Sequence, residues 1–177
     1  MLILISPAKT LDFESELKTQ KFSTPRFVKE SSELVGSLVR KSPAELEKLM
    51  HLSPALADLN AMRYQDWEPD FTTDNSRQAL LAFKGDVYVG MDVDCFSERD
   101  FTRSQKTLRI LSGLHGVLRP LDLIQPYRLE MGTKLQVNGS ENLYRFWSEN
   151  ITDSIIDEMS SEEILINRLL LRGRKDD

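Results

Sequence analysis

Apolar residues in this chain come first as a block and then as stripes. Leu2 to Ile5 is an unbroken aliphatic run stopped by Ser6-Pro7, the pattern of a strand covered on both faces. From Arg26 to Lys41 the apolar positions Phe27, Leu34, Val35, Leu38 and Val39 form a helical stripe. Ser42-Pro43-Ala44-Glu45 is a capping box with proline at the first helical position, so a helix should run to about Leu52. Ser53-Pro54 starts another, to about Met62 or Tyr64. Trp67 to Phe71 reads as loop and Asn75 to Leu81 as helix, although Leu80 to Phe83 equally fits a short buried strand. Lys84-Gly85-Asp86 is a turn, and Val87 to Val89 suits a strand or a helical start. Ser97-Glu98-Arg99-Asp100 predicts a helix capped at Ser97 and continuing to roughly Ile110. Tyr127 to Met131 reads as a strand, Asn138-Gly139 as a tight turn and Asn142 to Met159 as a long amphipathic helix. Ile164 to Ile166 is strand-like, and the basic, unpatterned Asn167 to Asp177 reads as a solvated tail.

The chain reads as one domain of ordinary composition: 177 residues, 40% apolar and 29% charged. No run approaches the roughly 20 apolar residues that span a bilayer, and Met1 to Ile5 is too short for a signal peptide. With one cysteine, Cys95, there is no disulfide framework, which fits a cytoplasmic protein. Asp94 beside Cys95 should raise its thiol pKa and leave it inert.

Charge is distributed unevenly. The chain carries a net −5, yet Phe101 to Leu135 holds six basic residues against Asp122 and Glu130 alone. A basic island in an acidic protein is a candidate polyanion face. At its centre lies Gly113-Leu114-His115-Gly116. Two glycines at this spacing suit a sharp reversal, and between helices the second would begin near Val117 with free N–H groups facing a phosphate. That is the logic of a helix-hairpin-helix gripping a nucleic-acid backbone. The same spacing also fits a plain helix-to-helix connection.

Other candidates are weaker. Ser6-Pro7-Ala8-Lys9-Thr10 follows a buried strand, where open α/β folds place ligands, so Lys9 and Thr10 are an alternative anion site. Arg128, in Pro126-Tyr127-Arg128-Leu129-Glu130, would add a clamp or else support the fold through a salt bridge. His51, four residues after Glu47, reads as a partly buried helix residue. His51 and His115 do not complete a metal site with their neighbours. Asp92, Asp94, Glu98 and Asp100 are expected at a helix start. No nucleophile elbow is present and Cys95 has no evident histidine partner, so no catalytic residue or cofactor is assigned.

Several stretches together resemble one family: Met1 to Leu11, Phe83 to Tyr88, Leu111 to Asp122, Gln125 to Gly132 and Leu143 to Trp147. They are similar, in order, to the YaaA family of bacterial peroxide-stress proteins, from Met1 to about Ile166. The resemblance implies a cytoplasmic protein that limits oxidative damage and lowers free intracellular iron. It implies a mixed α/β fold, a mixed sheet with surrounding helices and a helix-hairpin-helix that binds duplex DNA without sequence preference. On this reading Lys106, Arg109, Gly113, Gly116 and Arg119 contact the DNA. The competing reading is an enzyme or binding protein for a small anionic metabolite held by Lys9, Thr10 and Arg128. Family members continue beyond Ile166, so residues 1–166 read as an incomplete domain, truncated or frameshifted, and 167–177 as an unmatched basic tail.

Overall fold

The structure is a computed structural model and describes residues 1–160 and 163–168. In chain order its elements are β1 (Leu2–Ile5), β2 (Thr10–Leu11), α1 (Val28–Leu38), α2 (Pro43–Met50), α3 (Pro54–Gln65), β3 (Arg77–Gln78), α4 (Ala79–Ala82), β4 (Phe83–Lys84), α5 (Asp86–Met91), α6 (Glu98–Thr107), β5 (Leu108–Ser112), β6 (Gly116–Leu118), β7 (Leu123–Ile124), α7 (Leu143–Ile156) and β8 (Leu165–Arg168). The fold is mixed α/β. Among the described residues no helix is long and apolar enough to cross a membrane.

The central layer is a four-stranded sheet ordered β6-β5-β1-β8. β1 lies parallel to β5, with Ile5 opposite Ile110, and parallel to β8, with Leu2 opposite Leu165. β6 returns antiparallel to β5, Ser112 facing Gly116. Alternation along β1 sends Leu2 and Leu4 toward Val117 and Ile155 of α7, and Ile3 and Ile5 into the larger core with Leu34, Leu38, Phe101 and Trp147. The aliphatic run is therefore covered on both faces, as its pattern required.

Helix starts follow the capping signals. Ser42 accepts from the Glu45 N–H while the Glu45 carboxylate accepts from the Ser42 N–H, and Ser97 and Asp100 repeat the arrangement at α6. Ser53 and Asn142 cap α3 and α7. The long helix expected after Asn142 forms but breaks at Ser148, which has φ 37° and ψ −120°.

The basic centre of the chain folds differently from its pattern. α6 stops at Thr107, and Leu108 is already extended, with φ −113° and ψ 141°. Gly113 to His115 thus link two strands, and no helix starts at Val117. The expected helix-hairpin-helix is a buried β-hairpin. Tertiary pairing decides it: β5 inserts between β1 and β6, and its ladder to both outweighs continuation of a helix whose last turn has no further apolar stripe.

Smaller differences have local causes. Asn75 to Leu81 divides into β3 and the single turn α4, because Arg77 and Gln78 pair with Ile124 and Leu123. Tyr127 to Met131 forms no strand; Tyr64 Oη donates to the Arg128 carbonyl that a ladder would have used. Asn167 and Arg168 belong to β8, opposite Leu4 and Ile5, rather than to a tail. The remainder of that expected tail lies outside the described residues. His51 is the exposed left-handed cap of α2 (φ 51°), not a partly buried helix residue.

Candidate functional site

The Gly113–Gly116 turn faces inward. Ser112 Oγ accepts from the N–H groups of Leu114 (3.2 Å) and His115 (2.9 Å), and Val117, where the phosphate-binding helix was expected to begin, lies in the ladder opposite Leu111. Gly113 O accepts from Trp147 Nε1 at 3.0 Å, and Leu114 O from Ser31 Oγ at 3.0 Å. A Cβ on Gly113 would sit 2.4 Å from the Leu129 carbonyl oxygen. One on Gly116, at φ +66°, would sit 2.8 Å from the Trp147 ring. Both glycines are required by close approach and by backbone conformation. His115 is fully buried, its Nδ1 3.0 Å from Ser31 Oγ and its ring edge-on to Phe71 and Tyr127. Burial holds its pKa down to about 3, so the ring is neutral at physiological pH.

Of the basic residues assigned to DNA, Arg109 is also internal. It is 4% exposed, and its guanidinium is bound to Glu158, which a second arginine, Arg26, also grips at 2.6 Å. Burial acts to raise the Glu158 carboxyl, but Arg109 and Arg26 outweigh it and hold it below its ordinary range. Arg119 is about one-third exposed and paired with buried Asp122 at 3.0 Å, its backbone N–H also bonded to that carboxylate. Burial pushes the Asp122 carboxyl up despite these partners and Ser23. These two arginines brace the fold.

Lys106 alone of the five is fully on the surface, on α6. Arg99, Arg103 and Lys106 lie at i, i+4 and i+7, one face of that helix, and all three are exposed. None forms a salt bridge among the described residues. The neighbouring acids are engaged: Asp100 in the cap with Ser97, and Glu98 with Lys21 at 2.9 Å. Arg99 was not identified from the sequence, and Arg103 was counted only as part of the basic island. Their helical spacing with Lys106 was the available signal.

Of the three residues of the alternative anion reading, Lys9 and Arg128 meet at a shared carboxylate. Lys9 Nζ and Arg128 Nη2 both reach Glu130 Oε1, at 2.8 and 3.3 Å. Thr10, exposed, begins β2 directly after Lys9 and pairs with Lys84. Cys95 is exposed, its Sγ donating to Asp92 Oδ2 at 3.1 Å; that bond and the Asp92 and Asp94 charges raise the thiol. Among the described residues no three His, Cys, Asp or Glu side chains gather as metal ligands.

Together these features define a mixed α/β protein whose glycine turn is buried and faces inward, with exposed charge on α6. The chain matches the family model described as "Peroxide stress protein YaaA" over residues 1–169. It belongs to that family.

Proposed function

We propose that this peroxide-stress protein acts in the cytoplasm on duplex DNA, through charge rather than base contacts, and that α6 makes the contact. The observation that supports this reading is the exposed Arg99–Arg103–Lys106 face, without salt bridges among the described residues, in a chain of net charge −5. Three cations on one helix face suit successive phosphates and carry no sequence information. The turn at Gly113–Gly116 holds β5, β6 and α7 together and leaves the phosphate to these side chains.

Fluorescence anisotropy with duplexes of unrelated sequence tests the reading. The chain should bind them equally, and Arg99→Gln, Arg103→Gln and Lys106→Gln combined should weaken binding at least tenfold at low salt. Equal affinity in the triple variant would sink it. The lowering of free iron rests on family membership. Cells lacking the protein should hold more chelatable iron under peroxide than cells supplied with it, and equal iron in the two would count against that part.

A further inference from the structure

The loop leaving β1 and the segment facing the β5 turn are held in place by contacts that the DNA reading does not use. Tyr88 Oη donates to Ser6 O at 2.9 Å, fixing the first residue after β1. Gly85 lets the loop close in: a Cβ there would lie 3.1 Å from Ala8 Cβ, and Thr10 is then pinned against Lys84. On the other side Gly113 admits the Leu129 carbonyl, and Ser112 Oγ meets Tyr127 Oη at 2.6 Å. Tyr64 Oη donates to Arg128 O.

The result is that Lys9 and Arg128 are delivered from two separate loops onto one carboxylate, beyond the carboxyl ends of the adjacent parallel strands β1 and β5. In open α/β sheets that end is where ligands bind. Arg128 is four-fifths buried, and its Nε has no hydrogen-bond acceptor among the described residues. The edge of the guanidinium that meets Glu130 is Nη2, a charge-assisted contact that a ligand's oxyanion would reproduce. Glu130 and Lys9 are each more than 40% exposed, and such pairs hold together weakly.

We infer that Lys9 and Arg128 form a binding site for a small molecule bearing a phosphate or carboxylate, with the Glu130 carboxylate standing where the ligand's oxyanion would sit. Glu130 thereby sets the affinity, because a ligand must displace it from both cations. The site is separate from α6 and does not depend on the DNA reading.

Calorimetric titration with inorganic phosphate and with malonate tests the site on the full chain at low salt. At least one probe should saturate one site per chain. Glu130→Gln should tighten binding about tenfold, since it removes the competing charge. Lys9→Gln, at an exposed position, should weaken it by a similar factor, and Arg128→Gln more. A purely structural role for Glu130 predicts no tightening. The α6 triple variant should bind the probe like the unmodified chain, which separates failure of this site from failure of the DNA reading. The inference is overturned if neither probe saturates the unmodified chain or the Glu130→Gln variant. It is equally overturned if Lys9→Gln and Glu130→Gln leave affinity unchanged.

Discussion

Acidification should destabilise this fold through His115, and the size of the effect follows from where the ring sits. The ring is fully buried between Phe71 and Tyr127, and burial lowers its pKa from 6.5 to about 3. In the unfolded chain it titrates normally. Between those two values the unfolded state binds the extra proton, so stability rises with pH there. The contribution is therefore complete above about pH 6.5 and is lost as pH falls toward 3. At pH 5 the unfolded ring is 1.5 units below its pKa and the folded ring is still neutral, which costs about 2 kcal/mol relative to pH 7.5. Urea unfolding followed by fluorescence of Trp67 and Trp147 measures the difference. His115→Gln should be less stable at pH 7.5, because the packed ring is lost, but should lose about 2 kcal/mol less on acidification. Carboxylates such as Glu158 titrate in both proteins and cancel in the comparison. Parallel pH dependences for the two proteins would refute the reasoning.

Three further outcomes follow from the same contacts. Gly116→Ala places a Cβ 2.8 Å from Trp147 at a positive φ, so thermal unfolding should show a loss of about 2–3 kcal/mol, roughly 5–10 °C in Tm. A Tm within about 1 °C of the parent would show that the turn is not tightly packed. Arg109→Met leaves Glu158 partly buried with Arg26 alone and should cost about 3 kcal/mol in chemical denaturation; a cost below about 0.5 kcal/mol would mean the guanidinium is solvated. Cys95, held by Asp92, should react with iodoacetamide at pH 7.5 more slowly than an unstructured cysteine peptide, and equal or faster alkylation would contradict its raised pKa.

The parts of this fold legible in the sequence were those written locally. Ser42-Pro43-Ala44-Glu45 and Ser97 to Asp100 name their helix starts because the cap is made by residues three apart. Leu2 to Ile5 declared a covered strand because an apolar run cannot face water on either side. Leu108 to Ser112 was not legible, since its conformation is imposed by β1, more than 100 residues earlier in the chain, and by β6. The glycine spacing was a true signal of a tight reversal, but its meaning depended on what flanked it. Helices would have turned the N–H groups outward, and strands turned them onto Ser112. Arg109 looked like surface charge because nothing nearby in sequence announces Glu158. Lys9 and Arg128 were named separately from loop position and composition; their meeting on Glu130 is a tertiary fact.

The most direct test is the salt dependence of duplex affinity, compared between the parent chain and two variants. If α6 carries the contact, Arg99→Gln/Arg103→Gln/Lys106→Gln should reduce the slope of log K against log salt by about 2 to 3, as three released counterions require. Gly116→Ala, measured below its lowered Tm, should keep the parent slope. An unchanged slope in the α6 variant, with a reduced one in Gly116→Ala, would return the phosphate contact to the turn and contradict the account.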